Sequence, residues 1–405
     1  MNGNGQKNRY PQYTPPKAMD GINTRSTYRA QPKTAATSQV PTAFWVVFTV
    51  VLVLLVLSLI AMTVLLVTVE ADGGNNGNEV VDREDGGNKN NSSTSQNGAA
   101  QQNSGAIIKP SATVPSRSNY IANNSSNVSS ISGISSESAI IIDLDSYAAI
   151  GTKNADTRIY PASMTKVMTL LVACENLDNL YAKITVTQEQ VDYKNKLGAS
   201  GENFSAGETL LAKDLLYLII YDSNSIACQA IAEYISGSEA EFVKLMNKKA
   251  KELGLNGTNF VNSTGLHDED HYTTAREMAA IMAYALDNQT AKTIISSNTG
   301  YKITVYSEDG KSMARSLTMY TDWLTRFKQG KYSKVEDAIL STSTVKGGKT
   351  GYEDIPTACF VTYAEGKNGG TYICVVVGRI SNSGTSVSAA TSTADTKKIY
   401  NTYIN

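Results

Sequence analysis

The chain has 405 residues and a net charge of −1, with 36 basic against 37 acidic side chains, so nothing in its charge argues for nucleic acid and no such partner is expected. Only two histidines are present, which leaves a three-histidine zinc site or a Ser-His-Asp triad little to draw on. Four cysteines (Cys174, Cys228, Cys359, Cys374) show no metal-type spacing; Cys359 and Cys374 fall on neighbouring apolar runs, and their pairing stays open. Residues 1–42 are polar and carry Lys7, Arg9, Lys17, Arg25, Arg29 and Lys33 against Asp20 alone, the composition of a disordered cytoplasmic tail. From Ala43 to Val69 runs an uncharged apolar stretch, longer than the ~20 residues a helix needs to cross a bilayer. Basic residues precede it and Glu70, Asp72 and Glu79 follow, which predicts a signal anchor with the rest of the chain outside the cell. Residues 70–135 are rich in Asn, Ser and Gly, and read as a disordered linker with an r.m.s. span of about 45 Å.

A folded domain is expected over 136–405. Ala139–Leu144 reads as a strand. Amphipathic helices are predicted from the Ser163 region and over Ala212–Ile220, Ser225–Ile235, Glu239–Leu253 and Thr274–Leu286, with Gly254 ending the third of these last four. Alternating stretches follow at Gly300–Val305 and Met313–Thr318. The apolar runs Ala358–Ala364 and Tyr372–Val377 flank Glu365-Gly366-Lys367-Asn368-Gly369-Gly370, a hairpin signal, and a last helix is predicted over Ala394–Tyr403. Strands at both ends with helices between them imply an α+β fold, an antiparallel sheet flanked by helices.

Chemistry converges on Tyr160-Pro161-Ala162-Ser163-Met164-Thr165-Lys166. Residues three apart share a helix face, so Ser163 and Lys166 are placed as neighbours. A serine hydroxyl needs a group to take its proton, and a desolvated lysine can be that group. Two further signals follow in order: Tyr221-Asp222-Ser223-Asn224-Ser225 between two helices, and Gly347-Gly348-Lys349-Thr350-Gly351 ahead of the hairpin. Ser-x-x-Lys, a Ser/Asn element and Lys-Thr-Gly in this sequence order resemble the signature set of penicillin-binding proteins and serine β-lactamases. Asn154-Ala155-Asp156-Thr157-Arg158, Asn262-Ser263-Thr264-Gly265-Leu266, His271-Tyr272-Thr273-Thr274-Ala275 and Lys349-Thr350-Gly351-Tyr352 narrow the resemblance to the D-alanyl-D-alanine carboxypeptidase family, over roughly residues 138–400.

That resemblance implies a membrane-anchored serine peptidase that trims the terminal D-alanine from peptidoglycan stem peptides, is acylated by β-lactams and needs no metal or cofactor. Ser163 would be the nucleophile and Lys166 its base, with Lys349 lowering the basicity of Lys166 by like-charge repulsion. The backbone N–H groups of Ser163 and Tyr352 would form the oxyanion hole. Lys349 and Thr350 would hold the substrate carboxylate, and Gly351 would admit a peptide strand.

One element departs from the family's Ser-x-Asn. Ser223 is placed as the proton relay, and whether Asn224 or Ser225 binds a substrate amide stays open. Alternative readings are a β-lactamase or transpeptidase on the same fold, or a catalytically weak wall-binding protein. Glu252-Leu253-Gly254-Leu255-Asn256 matches a string by which class A β-lactamases place a water, and His267 with His271 has zinc-like spacing. The first reads better as a helix end and the second as a loop. Residues Tyr320 to Val345 look longer than the family's usual approach to Lys-Thr-Gly, as a surface insertion or a lid. The family's frequent C-terminal β-domain is not recognised, and the N-terminal helix is expected to supply the anchoring.

Overall fold

The computed structural model describes residues 110, 119–327, 338–353, 357–379 and 389–404. The expected tail and signal anchor, and most of the expected linker, lie outside those residues. Among the described residues no helix is long and apolar enough to cross a membrane.

The domain opens with β1 (Asn123–Ser130), β2 (Ser138–Asp143), β3 (Ala148–Lys153) and the short β4 (Arg158–Ile159). A 3-10 turn, Ala162–Met164, leads into α1 (Thr165–Asn176). Next come β5 (Lys183–Thr185), α2 (Gln188–Leu197), β6 (Thr209–Leu211), α3 (Ala212–Tyr221), α4 (Ser225–Ser236) and α5 (Glu239–Glu252). They are followed by β7 (Thr273–Thr274), α6 (Ala275–Asp287), α7 (Gln289–Ser296), β8 (Tyr301–Tyr306), β9 (Met313–Met319) and α8 (Asp322–Phe327). The chain then returns through β10 (Ser343–Glu353), β11 (Thr357–Gly366) and β12 (Thr371–Arg379) to α9 (Ala389–Tyr403).

The main sheet has the order β1-β3-β2-β12-β11-β10, antiparallel except for the parallel β1–β3 pair. Alternation sends Ile140, Ile142, Val361, Ile373 and Val375 to the helical core, and Ile141, Phe360, Cys374 and Val376 to a second core under α8 and α9. At the centre of the helical core lies α1, whose residues from Thr165 to Cys174 are all buried. A helix apolar on every side is what a central position demands. The expected α+β architecture, an antiparallel sheet flanked by helices, is therefore present in the described residues.

Strand β1 corrects the expected linker boundary: the ordered domain begins well before residue 136. Tyr120, Ala122 and Ile131 are buried, Tyr120 Oη donates to Asp287 (2.9 Å), and Arg276 donates to the carbonyl of Ala122 (2.6 Å). The strand pairs through its backbone, so its polar side chains are no obstacle. Strand β10 is likewise a full element with Lys-Thr-Gly inside it, and not an approach to a strand. Its glycines are required by crowding. A Cβ on Gly347 would lie 2.6 Å from the carbonyl oxygen of Ile295, and one on Gly348 2.7 Å from that of Val361.

Candidate active site

The nucleophile turn is wedged between two glycines. A Cβ on Gly265, whose φ is +84°, would lie 2.0 Å from the carbonyl oxygen of Ala162. Gly351 of β10 faces the same turn, its virtual Cβ 3.1 Å from the carbonyl oxygen of Pro161 and 3.2 Å from Ala162 Cβ. Only glycine lets the backbones approach this closely. Ala162 itself has φ +48°, a left-handed conformation that a non-glycine residue holds only when its surroundings impose it.

Ser163 is buried at the head of α1, and Lys166, one turn along, is 2 % exposed. Lys166 Nζ donates to Ser163 Oγ (3.1 Å) and to the carbonyl of Thr264 (2.5 Å). The Thr264 carbonyl is aimed by its own loop. Asn262 Oδ1 accepts from the backbone N–H groups of Thr264 (3.2 Å) and Gly265 (2.7 Å), and Glu239 accepts from the N–H (2.9 Å) and hydroxyl (2.6 Å) of Ser263. Thr264 had no assigned role in the sequence; the Asn262–Gly265 string was its only signal.

Lys349 is 1 % exposed, and its Nζ donates to the carbonyl of Thr350 (2.9 Å). The Cys228 thiol is pushed up to about 11, first by burial, against which the charges of Lys166 and Lys349 both pull. Lys349 and Gly351, two apart on β10, lie on one face of the strand, and Gly351 packs against the nucleophile turn. Asp322, at the start of α8, lies 3.9 Å from Lys349 Nζ and accepts a hydrogen bond from Thr350 Oγ1. No motif in the sequence singles it out.

Ser223 sits in the turn between α3 and α4 with φ +54°, and its buried hydroxyl has no hydrogen-bond partner among the described residues. A strained residue with an unpaired buried hydroxyl fits a group kept for a ligand or a proton. Asn224 is different. Its Oδ1 caps α4 by accepting from the N–H of Ala227 (3.0 Å), and its Nδ2 donates to Asp222 (2.9 Å) and to the carbonyl of Glu202 (3.1 Å). Of the two candidates left open for a substrate amide, Asn224 thus has its own amide engaged within the fold. Ser225 donates its hydroxyl to the carbonyl of Ser200 (3.1 Å). Burial raises the Asp222 carboxyl, and hydrogen bonds from Asn224 and the Glu202 backbone partly offset this.

The remaining sequence signals resolve into structure. Val261 N–H donates to His271 Nδ1 (3.2 Å), so Nε2 carries the proton and meets Thr165 Oγ1 (2.8 Å), which leaves no ring nitrogen for a metal. Burial holds that imidazole down at about 4, hence neutral. His267 packs against the Tyr160 ring at 4.6 Å. Glu252 ends α5 in an ion pair with Lys249 (2.9 Å). All four cysteines are buried thiols outside any disulfide among the described residues; Cys359 belongs to the helical core and Cys374 to the second one.

Comparison with known proteins gives one direction. The family of D-alanyl-D-alanine carboxypeptidases matches residues 124–381. D-alanyl-D-alanine carboxypeptidase DacF of Bacillus subtilis (strain 168) is 45 % identical over 150 residues, covering 37 % of this chain and 38 % of the relative. The chain thus aligns with well under half the length of that relative. The D-alanyl-D-alanine carboxypeptidase of Streptomyces sp. (strain K15) is 31 % identical over 235 residues, 56 % of this chain and 75 % of the relative. Among solved structures, the Streptomyces K15 DD-transpeptidase superposes with a TM-score of 0.57 at 25 % identity, over 67 % of this chain and 97 % of the other. Penicillin-binding protein 5 from Haemophilus influenzae superposes with a TM-score of 0.55 at 26 % identity, over 66 % and 70 %. The chain belongs to the D-alanyl-D-alanine carboxypeptidase family of serine peptidases.

Proposed function

We propose that this protein is a serine-type D-Ala-D-Ala carboxypeptidase, anchored to the membrane by residues 43–69, with its 136–405 domain and the preceding β1 acting outside the cell on peptidoglycan stem peptides. The observation that carries the reading is the 3.1 Å contact between Lys166 Nζ and Ser163 Oγ, both buried, beside the strand that carries the buried Lys349 and packs its Gly351 against the nucleophile turn. Burial and a neighbouring ammonium both favour the neutral form of an amine in such a position.

In this reading Lys166, as a free amine, removes the proton of Ser163 while Oγ bonds to the carbonyl carbon between two D-alanines. The backbone N–H groups of Ser163 and Tyr352 stabilise the oxyanion, where donors aimed at developing charge are most effective. The C–N bond then breaks, and the proton passes through the unpartnered hydroxyl of Ser223 to the leaving amine. Water hydrolyses the ester and regenerates Ser163. Lys349 and Thr350 bind the terminal carboxylate, and the open edge of β10 pairs with the peptide beside Gly351. Ser225 retains hydroxyl lone pairs where the family has a second amide-binding side chain, which makes it the better of the two open candidates.

A transpeptidase variant, with an amine in place of water, rests on the likeness to the Streptomyces K15 fold. The test is D-alanine release from a pentapeptide by the full chain in detergent, with Ser163→Ala as control. Release that depends on Ser163 supports the carboxypeptidase. Binding of wall fragments without release would replace it with a wall-binding protein.

A further inference from the structure

We infer that Asp322 is a built-in occupant of the seat that Lys349 and Thr350 offer to a substrate carboxylate, and that it thereby sets the preference between a free and a neutral C-terminus. The inference rests on the proposed role of those two residues.

The position of Asp322 follows from the sheet. β10 is the edge strand of the main sheet, bonded to β11 on one side only. Lys349 pairs with Val361, on the helical-core face, and Thr350 with Phe360, on the face under α8. Their side chains leave the strand on opposite faces. One oxygen that meets both must therefore lie over the strand edge, which is where an added peptide would place its C-terminus. Asp322 Oδ2 is that oxygen: it accepts from Thr350 Oγ1 and stands 3.9 Å from Lys349 Nζ.

The backbone behind the carboxylate is fixed. Trp323, Leu324 and Phe327 are buried in the second core, and the Phe327 ring lies 5.9 Å from that of Phe360. The carboxylate itself has an outlet, since the Asp322 side chain is 25 % exposed and can rotate toward solvent. A substrate carboxylate cannot share the same two donors with Asp322, because two negative charges a few ångströms apart repel. A carboxamide brings no such charge. Asp322 therefore penalises an anionic C-terminus selectively, and an anionic penicillin meets the same obstacle.

The experiment compares the full wild-type chain with Asp322→Asn on two pentapeptides, one ending in D-Ala-D-Ala and the other in its C-terminal amide. Asp322→Asn is expected to raise the ratio of kcat/KM, acid over amide, by roughly tenfold or more, as expected for removal of a like charge from a partly solvated site. The rate of Ser163 acylation by benzylpenicillin should rise with it. Asp322→Ser carries the same expectation and is measured alongside, with thermal melts to confirm folding. An unchanged ratio, or acid cleavage that falls relative to amide, overturns the inference while leaving the carboxypeptidase reading intact. If neither wild type nor variant is acylated at Ser163, the reading of the site fails and the inference fails with it.

Discussion

Replacing Asn224 by alanine separates a structural from a catalytic role for the element that departs from Ser-x-Asn. The side chain is fully buried and makes three hydrogen bonds: one caps α4 and two tie down Asp222 and the carbonyl of Glu202. Loss of an N-cap costs about 1 kcal/mol. Each of the other two bonds is worth about 1 kcal/mol, and removing the donor to the partly buried Asp222 carboxylate is the more damaging of them. Together they give about 3 kcal/mol, which at 2–4 °C per kcal/mol lowers Tm by roughly 6–12 °C. Gly201 adds to the constraint, because its backbone is pressed against Asn224, with a virtual Cβ 2.5 Å from Asn224 Cα. The assay pairs thermal melts with kcat for D-alanine release at a temperature where the variant is folded. The expected pattern is a large Tm loss with kcat within about tenfold of wild type. A variant with unchanged Tm and no turnover would make Asn224 a substrate ligand and refute the assignment.

Three further outcomes follow from the same geometry. Because His271 is held at about 4 against an ordinary 6.5, the unfolded chain binds the extra proton first as pH falls. Stability should therefore be complete above pH 6.5 and decline by up to about 3 kcal/mol on acidification toward pH 4; His271→Gln should flatten that slope in Tm. Gly265→Ala should disturb the nucleophile turn, since its Cβ would lie 2.0 Å from the carbonyl oxygen of Ala162; penicillin acylation of a chain that still melts cooperatively should drop at least roughly tenfold, and a wild-type rate would contradict the packing. The thiols should be inert to iodoacetamide at pH 8 in the native state and all react after denaturation, as burial pushes Cys228 up to about 11 and shields the other three; a rapidly alkylated native Cys228 would contradict its placement.

What could be read from sequence was the part written in apolar periodicity and in motif order. Helices α3, α4, α5 and α6 have buried apolar stripes, and α5 also carries a Ser238 cap and an acidic first turn, so pattern and caps agree. The β11–β12 hairpin is legible because both strands are buried on both faces. Helix α2 escaped notice because only Gln190 is buried along it; the Thr187–Gln190 capping box was the available signal. β1 is polar and held by backbone pairing, which leaves no side-chain pattern. β10 hides behind three glycines that propensity reads as turn, although each is forced by a backbone or side chain on the facing element.

Within the site, the order of Ser163, Lys166, Ser223 and Lys349 was visible, since motif spacing survives without knowledge of packing. The division of labour at 223–225 was not, because it depends on Asp222 and on the carbonyls of Ser200 and Glu202, twenty-odd residues away. Asp322 was invisible for the same reason: its meaning comes from a strand that follows it by more than twenty residues.

The central claim is that an amine makes the Ser163 hydroxyl reactive, and the rate at which benzylpenicillin acylates Lys166→Arg tests it most directly. A guanidinium keeps the positive charge and donor capacity but cannot take a proton. The account predicts a fall of about 10²–10⁴ relative to wild type, the usual contribution of a positioned base. Acylation of that variant at the wild-type rate would mean that Lys166 only holds the turn in place, and that another group activates the serine.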